Sequence, residues 1–263
     1  MKQRTITAIL AIIVLLPFVI IGGLPFTFLV YLIATVGLME LIKMKDLGKY
    51  AIPNILVVIL LWMILIPSSS SLLSTGWFSK FELVALIILL LLSYTVLVKN
   101  KFTFDHVGFI LLSAFYVGLG FFYLIETRQG SNALSNILYA FFIIWATDTG
   151  AYLFGRAFGK RKLWPVISPN KTVEGAIGGI LLACIVAVVF HMVNPFPHPI
   201  IIVIAVTVIA SIFGQIGDLV ESAFKRYYGV KDSGNILPGH GGILDRFDSL
   251  LFVLPLLHFI HFI

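Results

Sequence analysis

The chain has 263 residues, of which 60% are hydrophobic and only 11% are charged. An average soluble domain carries roughly 25% charged residues, so this composition excludes a soluble globular protein. The single cysteine, Cys184, excludes a disulfide framework, a thiolate metal site and a redox pair of cysteines. The formal net charge is +6, and its meaning depends on where the basic residues lie along the chain.

Nine apolar runs, separated by short polar breaks, follow one another along the chain. They cover residues 6–23, 25–42, 51–67, 83–98, 107–125, 133–154, 173–193, 200–220 and 248–263. A helix needs roughly 20 residues to cross a bilayer, so the runs predict an all-α polytopic integral membrane protein with about nine transmembrane helices. We expect a single membrane domain over 1–263, with spans one to five in 1–130 and spans six to nine, with two polar cytoplasmic loops, in 131–263.

Basic residues fall almost entirely on one side of this predicted topology. With the N-terminus in the cytoplasm, sixteen of the eighteen Lys and Arg residues lie inside, and only Lys80 and Arg128 lie outside. This positive-inside bias predicts a multi-pass cell-membrane protein with a cytoplasmic N-terminus. Since topology explains most of the positive charge, nucleic-acid binding is not expected.

Acidic residues gather near the cytoplasmic ends of the predicted helices: Glu40, Asp148, Glu174, Asp218, Glu221, Asp245 and Asp248. A carboxylate inside a span is costly, so each is a functional candidate. An ion pathway would spread such groups across the membrane, whereas this one-sided cluster favours an interfacial enzyme over a transporter. Ordinary ion pairs at helix ends are the other interpretation, and Glu40 is expected to pair with Lys43 one turn away.

Two polar faces predict a site for a cation and for phosphates. One is a stripe along the eighth helix that contains Gln215, Asp218, Glu221, Ser222 and Lys225. On the ninth, Asp245 and Asp248 are three residues apart and share a face. Magnesium prefers one or two carboxylates together with substrate phosphates. Basic residues suited to those phosphates lie nearby, at Lys225, Arg226, Lys231 and Arg246.

The glycine-rich sequence K-D-S-G-N-I-L-P-G-H-G-G lies between these two faces, over residues 231–242. Its successive backbone N–H groups could cradle phosphate oxygens. A plain connector between two helices also needs glycines, so the pattern alone leaves both interpretations open. His240 either contacts a phosphate or lies at the membrane interface.

A second polar loop, S-P-N-K-T-V-E-G, covers residues 168–175. Lys171 and Glu174 either form a structural pair, or Lys171 holds a phosphate and Glu174 supports it. Gly175 and Gly179 form a small-xxx-small pair, which is typical of close packing between membrane helices.

The segment 222–248 resembles the signature of the phosphatidate cytidylyltransferases, also called CDP-diacylglycerol synthases. Every position that this signature fixes is matched here, namely Ser222, Lys225, Arg226, Lys231, Asp232, Pro238, His240, Gly241, Gly242, Asp245, Arg246 and Asp248. The 168–175 segment also resembles the second polar loop of that family. The C-terminal half carries the resemblance, whereas the first five spans match only in general character.

The resemblance implies a magnesium-dependent membrane enzyme that transfers CMP from CTP to phosphatidate and assembles as a homodimer. It also implies that Asp218 and Asp245 hold the metal, and that spans six to nine are the catalytic part. The alternatives are a cytidylyltransferase acting on another lipid phosphate and, from a different class, a membrane transporter. Because the sequence offers no Ser-His-Asp or Cys-His arrangement, we expect direct transfer without a covalent enzyme intermediate.

From the residues and the resemblance together we expect one or two magnesium ions on Asp218, Asp245 and Asp248. We expect the phosphates to be stabilised by Lys225, Arg226, Lys231 and Arg246. Further substrate contacts are expected at Asp148, Lys171, Glu174, Ser222, Asp232, His240, Gly241 and Gly242. The lipid would enter from the inner leaflet, and the active site would face the cytoplasm.

Overall fold

The computed structural model describes residues 2–70, 79–130 and 132–263, and in the first helix it describes the side chains of residue 7 and of residues 13–21. Regular structure in these residues is almost entirely helical. The helices are α1 (Lys2–Ile21), α2 (Gly23–Met44), α3 (Ala51–Ile64), α4 (Lys80–Leu97), α5 (Phe104–Gln129), α6 (Ala133–Phe158), α7 (Val173–Val193), α8 (Ile200–Tyr227), α9 (Leu244–Phe247) and α10 (Leu250–Phe259). Two short strands, β1 (Lys162–Trp164) and β2 (Ser168–Thr172), lie between α6 and α7.

Each of the nine predicted runs coincides with a helix of ten residues or more. Within the described residues, six helices are long and apolar enough to cross a membrane, namely α2, α4, α5, α6, α7 and α8. The apolar helices α3 and α10 are shorter, with 14 and 10 residues. The predicted fold class, an all-α polytopic membrane protein, is therefore confirmed.

The first compact unit consists of Met1–Glu126 together with the loop Ser233–Ile243. In α2 the buried side chains Val30, Ala34 and Leu38 recur at four-residue spacing, so one face of that helix lies in the core. Leu24, by contrast, is 84% exposed on the same helix. An apolar helix with an exposed apolar face suits contact with lipid.

The second compact unit consists of Thr127–Asp232 and Leu244–Ile263. It contains α6, α7, α8 and α10 and the strand pair, and it holds most of the predicted site residues. The expectation that the chain forms a single membrane domain stays a prediction.

Helices α6 and α7 pack closely through glycines. A methyl group in place of the Gly150 hydrogen would lie 2.7 Å from the Gly178 carbonyl oxygen. The same change at Gly179 would place a carbon 2.6 Å from the carbonyl oxygen of Thr147, and at Gly175 it would lie 2.7 Å from that of Ala151. The interpretation of Gly175 and Gly179 as a helix-packing pair is confirmed.

We expect Gly179→Ala to destabilise the protein by about 1–3 kcal/mol, because the added carbon overpacks a backbone contact that cannot easily move. The unfolding midpoint in detergent measures this effect. Gly108→Ala is the matched control, since Gly108 lies in α5 with no atom within 4 Å of the added carbon. An unfolding midpoint for Gly179→Ala equal to that of the control would contradict the packing role.

A short antiparallel strand pair replaces the plain loop that the sequence led us to expect before α7. Lys162 pairs with Thr172 and Trp164 pairs with Ser168. Thr172 also caps α7, because its side-chain oxygen accepts a hydrogen bond from the Gly175 backbone N–H at 3.1 Å. This hairpin fixes the position of Lys171, which lies in β2.

Candidate active site

Helix α8 runs for 28 residues, and its C-terminal turns carry the predicted polar stripe. Asp218, Glu221 and Lys225 follow one another at three- and four-residue spacing, so their side chains point from one face. Lipid cannot face such a stripe without a large cost, so other parts of the second unit must cover it.

Asp218 forms an ion pair with Lys171. The Lys171 Nζ lies 2.6 Å from Asp218 Oδ2, and the Ser222 hydroxyl donates a hydrogen bond to Asp218 Oδ1 at 3.2 Å. Both partners of the ion pair are partly exposed, with 27% and 32% of their side-chain surface accessible. The pair therefore joins β2 to α8 while leaving both groups within reach of a ligand.

Lys225 bridges two carboxylates that come from different helices. Its Nζ lies 2.6 Å from Glu221 Oε2 and 2.6 Å from Asp245 Oδ1. The Glu221 side chain is fully buried, and that of Asp245 is only 5% exposed. Removing the Lys225 ammonium would leave two buried carboxylates without the positive charge that lies between them. Because Asp245 belongs to α9, the triad also joins α8 to α9. Glu221 lies on the predicted stripe, but the sequence does not predict it as a ligand of the metal or of the substrates.

Asp248 lies in the turn between α9 and α10, outside the long apolar helices. Burial raises its pKa above the usual range, and the negative charges of Asp218 and Asp148 raise it further. Asp148 lies around one small pocket together with Ser211 and with Ser249, the neighbour of Asp248. The structure thus brings Asp148, Asp218 and Asp248 within electrostatic reach of one another.

This arrangement fits a hard cation that is shared with a ligand. Across the part of the chain that the structure describes, no group of three or more His, Cys, Asp or Glu side chains is close enough to hold a metal unaided. Magnesium needs only one or two carboxylates when substrate phosphates supply its other ligands. The carboxylates of Asp218 and Asp248 are oxygen donors of that kind, and their mutual repulsion favours an added positive charge.

Lys171 and Glu174 have different partners. The Glu174 carboxylate accepts hydrogen bonds from the backbone N–H groups of Lys160 and Arg161, at 3.1 and 3.2 Å. It also forms an ion pair with the Arg161 guanidinium at 3.4 Å. Glu174 therefore holds the start of the hairpin, whereas Lys171 contacts Asp218.

Four other predicted residues of the second unit are exposed: Arg226, Lys231, Asp232 and Arg246. The Arg226 Nε donates a hydrogen bond to the Ile167 carbonyl at 3.2 Å, which ties α8 to the hairpin turn.

His240, Gly241 and Gly242 lie in the loop Ser233–Ile243, which belongs to the first unit. The loop contains a tight turn, because the His240 N–H donates to the Leu237 carbonyl at 2.8 Å and the Leu237 N–H donates to the Gly241 carbonyl at 3.0 Å. Gly239 and Gly241 have φ angles of 77° and 81°, which favour glycine. Glu40, which the sequence predicts as a partner of Lys43, holds this loop: its carboxylate accepts hydrogen bonds from Ser233 and Ile243, a contact that the sequence does not predict.

Comparison with known proteins identifies the family of the chain. The model of the cytidylyltransferase family matches residues 2–263. The phosphatidate cytidylyltransferase of Bacillus subtilis (strain 168) is 56% identical over 261 residues, which cover 99% of this chain and 97% of that protein. The phosphatidate cytidylyltransferase of Staphylococcus haemolyticus (strain JCSC1435) is 52% identical over 260 residues, which cover 98% of both chains. The resemblance found in residues 222–248 is thus confirmed over nearly the whole length, and the chain belongs to the cytidylyltransferase family.

Proposed function

We propose that this protein transfers CMP from CTP to phosphatidate, giving CDP-diacylglycerol and pyrophosphate. The names of its relatives support the choice of substrates. The observation that carries the proposal is the cluster in which Lys171 contacts Asp218 and Lys225 contacts Asp245. Paired acids and ammonium groups of this kind suit phosphates that arrive with a divalent cation.

The reaction needs positioning more than proton transfer. A phosphate monoester has a second pKa of about 6, so the phosphatidate oxygen is already an anionic nucleophile at neutral pH. That oxygen attacks the α-phosphorus of CTP, a new P–O bond forms, and the bond to the β-phosphate oxygen breaks to release pyrophosphate. The main obstacle is the repulsion between two anions, which basic side chains reduce.

The two lysines keep N–H groups for this purpose. An ammonium has three N–H donors. Lys225 forms ion pairs with the carboxylates of Glu221 and Asp245, and Lys171 forms one with that of Asp218. Within the part of the chain that the structure describes, each lysine has fewer carboxylate partners than N–H donors, and we propose that the remaining donors bind phosphate oxygens. Arg226, Lys231 and Arg246 are exposed and supply further positive charge.

The proposed cofactor is magnesium, as one or two ions held by Asp218 and Asp245 with the help of Asp248. When bound, it would neutralise charge on the CTP phosphates and orient them. We propose that Asp148, Glu174, Ser222 and Asp232, together with His240, Gly241 and Gly242, contact or support the substrates. Glu174 would act indirectly through the hairpin that carries Lys171.

We further propose that the protein lies in the cell membrane as a homodimer, with its N-terminus and active site on the cytoplasmic side. The concentration of Lys and Arg in the segments on that side supports the orientation. CTP is a soluble cytoplasmic substrate, whereas phosphatidate would enter from the inner leaflet.

Pyrophosphate release by the purified protein in detergent tests the proposed function. We expect release only when CTP, phosphatidate and magnesium are all present, and we expect EDTA to abolish it. A panel of other nucleotides and of other lipid phosphates, including an isoprenoid ether lipid phosphate, defines specificity. Preference for another lipid phosphate would correct the substrate. The transporter interpretation would be favoured by two results together. No lipid phosphate would support pyrophosphate release, and the acidic side chains would be accessible to water-soluble reagents from both sides of the membrane.

A further inference from the structure

A buried carboxylate holds both ends of the glycine-rich loop. Glu40, in α2, is only 4% exposed. One of its oxygens accepts a hydrogen bond from the Ser233 hydroxyl at 2.9 Å, and the other accepts one from the Ile243 backbone N–H at 2.8 Å. Ser233 and Ile243 are the first and last residues of the loop that packs into the first unit. One side chain thus closes an eleven-residue loop.

Two glycines of the loop lie directly against the same carboxylate. A methyl group in place of the Gly234 hydrogen would lie 2.6 Å from Glu40 Oε1, and one at Gly242 would also collide with that oxygen. The absence of side chains at these positions lets the backbone approach Glu40 closely. The position of the Glu40 carboxylate therefore requires glycine at both places in the loop.

A third contact holds the tip of the loop. The Thr7 hydroxyl, on α1, donates a hydrogen bond to the Pro238 carbonyl at 2.9 Å. Together with the turn between Leu237 and Gly241, this contact leaves the loop backbone little freedom. A preorganised loop loses less entropy when it binds a ligand than a mobile loop does.

We propose that Glu40 is a positioning residue, whose carboxylate sets the shape in which the loop Ser233–Ile243 binds a substrate phosphate. This inference rests on the proposed function, since both CTP and phosphatidate supply a phosphate. Glu40 does not touch the ligand, and its negative charge is not the property that matters. What matters is an acceptor of the right length that reaches both ends of the loop.

Two conservative substitutions of Glu40 separate the effect of side-chain length from the effect of negative charge. In Glu40→Gln the side chain keeps its length, so its oxygen can accept from the Ile243 N–H while its amide N–H donates to the Ser233 hydroxyl. In Glu40→Asp the charge is kept, but the carboxylate is one methylene shorter and cannot reach both ends. We expect Glu40→Gln to remain within about threefold of wild-type kcat/KM, and Glu40→Asp to fall by at least about tenfold, the usual cost of a lost hydrogen bond to a charged group.

The loss in Glu40→Asp should fall on KM, because the loop binds the substrate before the chemical step. A rise in KM for CTP alone would assign the bound phosphate to the nucleotide, and a rise for phosphatidate alone would assign it to the lipid headgroup. Glu126→Asp is the matched control, since Glu126 also accepts a backbone N–H, from Ser68, at 2.9 Å. A smaller loss in Glu40→Asp than in Glu40→Gln, or a loss equal to that of the control, would overturn the proposal.

A labelling experiment tests the conformation of the loop Ser233–Ile243 independently of enzyme activity. In a Cys184→Ala background, Ile236→Cys places a thiol in the loop at a position that is 55% exposed. We expect a water-soluble maleimide to label this thiol several-fold faster in Glu40→Asp than with Glu40 intact, and Glu40→Gln to resemble the intact residue. Equal labelling rates would overturn the inference even if the enzyme is active. Lack of pyrophosphate release by the wild-type protein would instead count against the proposed function.

Discussion

Asp245→Asn is expected to abolish pyrophosphate release, by at least about a thousandfold, in a protein that still inserts into the membrane and purifies normally. The asparagine oxygen can still accept a hydrogen bond from Lys225, which lies 2.6 Å from the native carboxylate, so the buried triad keeps its geometry. What is lost is the negative charge proposed to hold magnesium, and a metal ion contributes several kcal/mol to stabilising the charge in the transition state. Initial rates over a range of magnesium concentrations measure the effect.

Asp46→Asn is the control for this experiment. Asp46 is an exposed acid that pairs with Lys49 at 3.3 Å, far along the chain from the proposed site. It should keep wild-type activity. If Asp245→Asn retained more than about a tenth of the wild-type rate at saturating magnesium, the metal role proposed for Asp245 would be wrong.

Lys225→Met is expected to destabilise the protein by about 3–5 kcal/mol, the usual result of removing one partner from a buried ion pair. The substitution leaves the carboxylates of Glu221 and Asp245 without the ammonium that lies between them. Activity should also be lost, since Lys225 is proposed to contact phosphate. Unfolding in a denaturing detergent and elution on size exclusion measure the stability independently of turnover.

The double variant Lys225→Met with Glu221→Gln isolates the charge effect. Because Glu221 then carries no charge in its fully buried position, we expect the double variant to be more stable than Lys225→Met alone. Lys49→Met is the surface control and should change stability by less than about 1 kcal/mol, as exposed ion pairs contribute little. Equal losses for Lys225→Met and Lys49→Met would show that the buried triad contributes nothing to stability.

The sequence predicts the helices well because a bilayer leaves the chain few choices. An apolar run inside the bilayer forms a helix, because a helix satisfies the hydrogen bonds of its own backbone. The positions of the nine apolar runs therefore locate nine helices. Their ends are less well predicted. Helix α4 begins at Lys80 and not at 83, because Ser79 and Glu82 form a capping box that draws polar residues into the first turn.

The sequence also predicts the acidic residues of the site, because a carboxylate in a membrane helix is costly and therefore marks a functional candidate. The sequence does not predict which basic or polar side chain each of these acids contacts. Local spacing links Glu221 to Lys225, but the contact of Lys225 with Asp245 joins residues twenty positions apart. The contact between Glu40 and Ser233 spans 193 positions, and no local pattern relates the two. The sequence does not predict the hairpin, because its strands have only three and five residues, too few for a clear alternation of apolar and polar side chains.

The long separation between Glu40 and its loop has a consequence for the synthesis of the protein. At roughly 5–20 residues per second, the ribosome needs about 10–40 s after Glu40 to make Ser233, which lies 193 positions later. During that interval α2 is already available for membrane insertion while the partners of its carboxylate do not yet exist. Glu40 lies four residues before the end of α2, at Met44, where water can solvate the carboxylate during the wait. Its place near the helix end is therefore compatible with insertion of the nascent helix as well as with the finished structure.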